Sequence, residues 1–278
     1  DAGVDISANQ SDLTLTDNAL VDYEFKVGGP NDDIIVEATA KTTAQTAADL
    51  GVSTDVAKAL PIAVAAVAAD TNDTEGATAL NAALNAGGAT AKSAAVQVGV
   101  QADALAGATN ANVGTSQRVF GVTSERLASL RFGGQYGQTV YEGLSTGDYD
   151  DKGVGIWIRP FGNWVTQDGT GGSAGYDATT YGIAGGADVI IDDRGQYRAG
   201  LSFAGSQTDV DGDGAGKATV EIQSFQLTAY TDFTGKAYFA DLMAGYAFNG
   251  NDTSRVINFG GLDRTVTGTY DTHQFMVA

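Results

Sequence analysis

The pattern in this chain that most resembles a chemical site is a run of alternating aspartates and glycines. It reads Asp209-Val-Asp211-Gly-Asp213-Gly214 and matches the first half of an EF-hand loop, in which carboxylates at alternate positions bind calcium. The bidentate glutamate of such a loop belongs at its twelfth position, but that position is Val220, and Glu221 comes one residue late. The flanks also alternate like strands. The run therefore predicts an acidic surface loop, with calcium binding as the lesser alternative.

Two other patterns resemble sites and lack essential parts. The segment 212–217 is as rich in glycine as a phosphate-binding loop, but its glycine spacing differs and Ala218 replaces the Ser or Thr that would hold magnesium. His273 is the only histidine, and the chain has no cysteine. We interpret His273 as a wall residue of a sheet. The sequence predicts no catalytic, cofactor or metal site.

Three arginines form the remaining chemical pattern. Arg118, Arg126 and Arg131 are interspersed with apolar residues, and their segment, Thr115–Gln135, predicts a basic, mildly amphipathic helix, of which Ser116–Leu130 is the central part. The chain as a whole is acidic, with 34 Asp and Glu against 15 Lys and Arg and a formal net charge of −19. Because phosphate binding needs clustered cations, this balance argues against a nucleic-acid partner.

The elements that position these residues are predicted from the alternation of apolar and small or polar side chains after residue 153. Six runs, each about 12–16 residues long, exceed the usual strand length of about 5–6 residues. Short connections alternate with long ones at 167–177, 209–217 and 250–264, and aromatic residues recur near strand ends. This pattern predicts an antiparallel transmembrane β-barrel, with a soluble sandwich or lipocalin-like sheet as the alternative. The runs are 154–166, 178–191, 195–209, 218–233, 236–249 and 265–278.

The same alternation assigns side chains to the two faces of the predicted barrel. One face is apolar and is expected to contact lipid. The opposite face is expected to line the lumen, and it carries Arg159, Asp188, Arg198 and Asp241. The lipid-facing residues include Tyr181, Leu201, Phe203, Leu227, Leu242 and Tyr246.

The composition changes upstream of the barrel. Residues 1–38 contain β-like pieces at 13–17, 23–27 and 33–38, which predict the end of an elongated β structure. Residues 39–113 are rich in Ala and Thr and predict a partly helical region, with helices from Thr54 to about Ala69 and from Asp73 to Asn85, and a similar segment over Ala89–Ala108. The longest apolar stretch, Leu60–Ala69, is about half of what a membrane-spanning helix needs, so no such helix is expected.

Five pieces of the region after residue 153 follow one another in a recognisable order: GVGIWIRPFGNWVTQDGTGGSAGYDATTYGIAGGADVIID, LSFAGSQTDVDGDG, VEIQSFQLTAYTDF, AYFADLMAGYAFNGNDTSR and GTYDTHQF. With these pieces in this order, residues 153–278 resemble the first half of the translocator domain of bacterial type V autotransporters. SERLASLR (124–131) resembles the helix that precedes the barrel in that family. The resemblance implies a twelve-stranded barrel with a linker helix, here 114–147, held inside the pore.

The resemblance also implies a function, an outer-membrane translocator and anchor that secretes and displays its own N-terminal passenger. Its implied partners are outer-membrane lipid, the barrel assembly machinery, periplasmic chaperones and the passenger itself, and the segment is not expected to be an enzyme. In the pore, Arg118, Arg126 and Arg131 should face polar or acidic wall residues such as Asp188 and Asp241. The alternatives are a porin-like passive channel and a surface structural protein or adhesin anchored by the barrel.

Two further expectations concern the missing strands and self-cleavage. Six strands cannot close a barrel, and open edges are not viable in lipid, so about six further strands are expected beyond Ala278. Some autotransporters cut themselves at an asparagine in the pore. Asn110 and Asn112 lie near the linker, but we identify no matching pair in a helical context and expect no self-cleavage.

Overall fold

The computed structural model describes residues 16–28, 33–70, 73–99, 102–132, 145–146, 154–170, 174–214 and 216–278. The described elements form two compact units, Asp1–Gln101 with Val256–Thr265 and Ala102–Arg255 with Val266–Ala278. In chain order they are β1 (Val21–Gly28), β2 (Asp33–Ala40), α1 (Thr43–Leu50), α2 (Thr54–Ala69), α3 (Thr74–Ala86), α4 (Gly88–Val98), α5 (Ala102–Phe132), β3 (Ser145–Thr146), β4 (Val154–Gln167), β5 (Tyr176–Ile190), β6 (Tyr197–Gly212), β7 (Thr219–Thr234), β8 (Phe239–Phe259) and β9 (Leu262–Val277).

The first unit, called here the helical unit, begins with a β-hairpin. Strands β1 and β2 pair antiparallel from Val21 opposite Ala40 onwards. Asn18 fixes the entry to β1, because its side-chain oxygen accepts hydrogen bonds from the backbone of both Leu20 and Val21. The expected strand at 13–17 lies largely outside the described residues.

The helices of this unit start where short polar side chains cap them. Thr42 and Gln45 form a reciprocal capping box at α1, and Ser53 and Asp73 accept backbone hydrogen bonds at the starts of α2 and α3. The backbone N–H of Gly76, followed by the Arg264 guanidinium, lowers the pKa of the Asp73 carboxyl.

None of the described helices is by itself both long and apolar enough to cross a membrane. Only α1 and α2 together, bent by 105°, meet that length and composition.

Six of the thirteen buried residues in the core of the helical unit are alanines, which let the helices approach closely, and leucines of the helices lie between them. The buried leucines are Leu50, Leu60, Leu80 and Leu84. Two further large side chains, Phe259 and Leu262, come from the turn between β8 and β9, whose residues Val256–Thr265 belong to this unit. The hairpin tip therefore supplies part of the helical core.

The second unit, called here the sheet unit, contains α5 and most of a seven-stranded sheet in the order β3-β4-β5-β6-β7-β8-β9. Neighbours from β3 to β8 pair antiparallel, which confirms the predicted succession of hairpins. The short β5–β6 turn is held by Asp192, whose side chain accepts from the backbone of Arg194 and Tyr197, and by Gly195 at a φ of 68°.

The expected long connection at 250–264 is wrong. Strand β8 continues to Phe259, and β9 starts at Leu262. The chain reverses at Gly260 and Gly261, whose φ angles of 59° and 86° suit a two-residue hairpin turn. Polar residues such as Asn251 and Asp252 read as a loop in the sequence, yet they continue the inward and outward alternation of β8.

One face of the sheet surrounds helix α5. Side chains of α5 contact strands β4 to β9, from Arg159 on β4 to Gln274 on β9. An α-helix is about 10 Å across and strands lie about 4.8 Å apart, so one helix can touch six strands only if the sheet curves around it. The sheet is therefore curved, and α5 lies on its concave face.

Candidate functional site

Helix α5 is the element that fills the inner face of the sheet. It runs over 31 residues from Ala102, which is earlier than the expected linker boundary at 114. Asp103 in its first turn accepts a hydrogen bond from the backbone N–H of Gly214 in the β6–β7 loop, and a carboxylate is favourable at this end of a helix dipole. The face of α5 towards the wall begins with the small residues Ala104, Ala108 and Ala111.

Near its start, α5 fits closely against strands β5 and β6. A side-chain carbon built on Gly107 would lie 2.7 Å from Val210 and 2.8 Å from the ring of Tyr176, so only glycine fits there. One turn further on, Asn110 donates to the Tyr176 hydroxyl at 2.9 Å. These contacts set the depth of the helix relative to the wall.

Asn112 faces the opposite wall. Its side-chain amide donates to Asn251 of β8 at 3.3 Å, and both side chains are buried. Asn110 and Asn112 thus lie inside a helix, so the statement that they lack a helical context is wrong. Helix α5 extends upstream because residues 102–113 are rich in alanine and contain no proline.

The middle of α5 packs through an apolar layer. Val119 and Val122 contact Trp157 and Phe161 of β4 within one buried cluster. Next to it, the Thr123 and Ser202 hydroxyls lie 3.4 Å apart in a buried pair. The helix therefore has an apolar contact with the β4 side of the wall between its two polar ends.

Beyond the apolar layer, Arg126 inserts into a buried charge network. Its Nε lies 3.3 Å from Asp188 Oδ2, and Arg198 of β6 binds the other oxygen of the same carboxylate. The Tyr230 hydroxyl also donates to Asp188, at 3.3 Å, and accepts from Trp157 Nε1 at 3.0 Å. The Asp188 side chain is fully buried, and its carboxylate links three groups from α5, β6 and β7.

A second charged contact lies five residues further along the helix. Arg131 forms two hydrogen bonds to Asp241 of β8, at 2.6 and 3.1 Å, and binds Asp232 of β7. Its guanidinium also lies 4.2 Å from the centre of the Phe239 ring. Asp232 was absent from the expected lumen residues. The sequence predicts its inward position, because Asp232 falls on the same alternation as Ser224, Gln226 and Thr228.

Arg118 differs from the expectation that it faces an acidic wall residue. It pairs with Glu125 of its own helix at 3.0 Å, and Arg159 of β4 binds the second Glu125 oxygen at 2.7 Å. The wall side chain here is itself a cation, so Glu125 lies between the two arginines. Arg118 and Glu125 are 39% and 48% exposed, so their ion pair is solvated, whereas the Arg126 and Arg131 contacts are buried.

Comparison with known proteins gives this arrangement a family. Residues 156–278 match the family of the autotransporter beta-domain, which is a β-barrel domain. This stretch is an autotransporter β-domain. The predicted family and the predicted barrel fold are thereby confirmed.

Two curated relatives of the chain are each named outer membrane protein B. The protein from Rickettsia prowazekii (strain Madrid E) is 27% identical over 144 residues, covering 50% of this chain and 8% of the relative. The protein from Rickettsia typhi (strain ATCC VR-144 / Wilmington) is 29% identical over 118 residues, covering 40% of this chain and 7% of the relative. The matches thus span less than a tenth of either relative. No solved structure matches the chain.

The outer face of the autotransporter β-domain is apolar. Six residues expected to face lipid point away from α5, and each is at least 39% exposed. Aromatic rings of neighbouring strands meet on this face, as Phe203 and Phe225 do at 6.2 Å between ring centres. The six residues are Tyr181, Leu201, Phe203, Leu227, Leu242 and Tyr246.

The residues first considered for chemistry lie elsewhere. Asp209 and Asp211 are part of strand β6. Among the residues that the structure describes, no three or more His, Asp or Glu side chains form a cluster able to hold a metal. His273 lies on β9, with its ring nitrogen 2.8 Å from the Tyr246 hydroxyl on the outer face.

Proposed function

We propose that this chain is the C-terminal part of an outer-membrane autotransporter, whose barrel anchors and exports the residues that precede it. The observation that carries the proposal is helix α5, which lies along the inner face of a family-matched barrel sheet and binds it through buried ion pairs. In this arrangement the exported chain occupies the pore, and the barrel holds it in the membrane. The protein acts by transport and anchoring, and this segment catalyses no reaction.

The outer face supports insertion into lipid. Strands alternate an apolar outward residue with a polar or small inward one, as barrel strands in the outer membrane do. A porin-like channel needs a water-filled lumen, but the described inner face is occupied by α5. We propose membrane lipid, the barrel assembly machinery and periplasmic chaperones as partners, because insertion of such a barrel requires them in this family.

A first experiment tests whether α5 occupies the pore in the membrane. The chain has no cysteine, so engineered pairs are unambiguous. Thr123→Cys combined with Ser202→Cys places two thiols where the hydroxyls lie 3.4 Å apart, and oxidation of intact membranes should crosslink them. Thr123→Cys with Phe203→Cys is the matched control, because Phe203 is the adjacent residue on the outer face. Equal crosslinking of both pairs would contradict the proposal.

A second experiment tests the direction of export. Helix α5 starts beside the β6–β7 loop and ends beside β7 and β8 near their short turn, so the two ends of the barrel are distinct. We expect a membrane-impermeant maleimide to label Lys58→Cys on intact cells and to label Lys236→Cys, in the β7–β8 turn, only after the outer membrane is opened. Both side chains are exposed. The reverse pattern would contradict surface display.

A further inference from the structure

The β8–β9 hairpin extends into a unit outside the autotransporter β-domain. Its tip, residues 256–265, lies within the family-matched stretch, yet it packs with helices α1–α4, which precede that stretch. Seven large apolar side chains are buried in this helical core, and two of them, Phe259 and Leu262, come from the tip. The other five come from the helices: Leu50, Val56, Leu60, Leu80 and Leu84. The two tip side chains are therefore a substantial part of the apolar surface that this core buries.

A polar contact makes the helices depend on the same tip. Gln97 of α4 is only 6% exposed, and its amide donates to the Asn258 carbonyl at 3.1 Å while its carbonyl accepts from the Asn258 backbone N–H. Gln97 thus pairs with the edge of β8 as another strand would. Without the tip, this buried amide would lose both partners on the backbone, which is unfavourable.

An ion pair and a close backbone contact also join the tip to helix α3. Arg264 of the tip binds Asp73 at 2.7 Å and Glu75 at 3.2 Å, at the acidic start of α3. A side-chain carbon on Gly260 would lie 3.3 Å from the Ala79 carbonyl oxygen, so the turn rests directly on the α3 backbone. Apolar, polar and charged groups of the tip all match groups on the helices.

We propose that the tip of the β8–β9 hairpin is the surface on which α1–α4 fold, so that these helices become stable only once the hairpin has formed. This inference rests on the proposed export function. A chain that threads a pore has to be unfolded, and a bundle without its last packing surface stays unfolded until it reaches that surface. The partner of the tip is therefore the exported segment of the same polypeptide.

The experiment compares two double variants of the native full-length protein in outer membranes. Phe259→Ala with Leu262→Ala removes the buried side chains of the tip, whereas Val256→Ala with Val266→Ala removes exposed ones from the same strands. Trypsin cleavage after Lys58 in α2 and Lys92 in α4 reports folding of the helices. We expect at least about tenfold faster cleavage in the first variant and unchanged cleavage in the second. The reason is that the free energy of local unfolding of the helices sets the fraction of molecules that trypsin can cleave.

Heat-modifiable gel migration of the barrel separates this inference from the proposed function. If the native protein itself shows no such migration, the export proposal fails. If the barrel is intact and both double variants are cut at the native rate, the helices fold without the tip and this inference is overturned.

A helix-side variant decides the case in which the tip variant fails to assemble. Gln97→Ala changes no strand residue, and we expect it to speed cleavage after Lys58 with the barrel intact. Thr90→Ala, at an exposed position of α4, is its control and should leave the cleavage rate unchanged. Equal rates for the two variants would overturn the inference.

Discussion

Replacing Asp188 by asparagine should destabilise the barrel more than any other single charge change at α5. Asp188→Asn keeps the size of the side chain and removes the negative charge that Arg126, Arg198 and Tyr230 all contact. The carboxylate is fully buried, and the two arginines are 5% and 17% exposed. Breaking a buried ion pair from one side costs about 3–5 kcal/mol, because the remaining charge keeps its desolvation penalty.

Glu125→Gln is the matched control for this substitution. Glu125 also lies between two arginines, Arg118 and Arg159, but it is 48% exposed, so its loss should cost only about 0–1 kcal/mol. The assay is urea unfolding of the native protein in lipid vesicles, followed by heat-modifiable migration and by the fluorescence of the buried Trp157. Asp188→Asn with Arg198→Gln should recover part of the lost free energy, since one of the two cations is then gone.

The comparison between the two single variants can refute this reasoning. If Asp188→Asn lowers the free energy of unfolding no more than Glu125→Gln does, then Asp188 is solvated in the membrane and does not hold α5. If the double variant is less stable than Asp188→Asn alone, the two arginines do not share one carboxylate.

Three further predictions concern the wall and the helical unit. Leu227→Arg should lower the free energy of unfolding by about 2–4 kcal/mol at the bilayer midplane, whereas Gln226→Arg, on the inner face, should lower it much less. Unfolding in vesicles measures both, and equal losses would indicate a water-soluble sheet. Gly245→Val should cost about 1–3 kcal/mol in the same assay, because a side-chain carbon there would lie 2.8 Å from an aromatic ring of α5. The Gly76 backbone N–H is the main cause that lowers the pKa of the Asp73 carboxyl. The ionised carboxylate therefore stabilises the helical unit above the unfolded-state pKa, and this stabilisation is lost as the pH falls through the lower folded-state pKa. Asp73→Asn should remove that part of the acid dependence of trypsin resistance, and an unchanged pH profile would contradict it.

The two faces of the sheet could be predicted from the sequence because strand geometry alone fixes them. Successive side chains of a strand point to opposite sides, so Leu201 and Ser202 have to face apart whatever the tertiary structure is. The same rule assigns Asp232 inwards, because Asp232 continues the alternation of Gln226 and Thr228 to the end of β7.

The partners of the arginines could not be predicted with the same certainty. Which wall residue an arginine of α5 meets depends on the depth and the rotation of the helix, and those are set by distant contacts such as Gly107 against Tyr176. A rotation of α5 by one residue, about 100°, would turn Arg126 away from Asp188. The position of Arg118 shows this, since it faces Glu125 of its own helix.

The hairpin tip escaped prediction for another reason. Gly260-Gly261 between Phe259 and Leu262 is a readable two-residue turn, but the preceding polar residues resemble a loop. Their strand conformation makes sense only when the helices that cover Phe259 are known. A local pattern cannot reveal a core that is shared with residues more than 150 positions away.

The order of layers along α5 determines how the protein responds to tension. A force that pulls on the residues before Ala102 draws the helix along its own axis, with Arg126 following Val122 at a distance of about 6 Å. To move, Arg126 has to leave Asp188 and pass the apolar side chains of Trp157 and Phe161 as a charge without water. The force needed to move the helix therefore rises over its first few ångströms of displacement. The charge of Arg126, which positions the unloaded helix, also opposes its movement under tension.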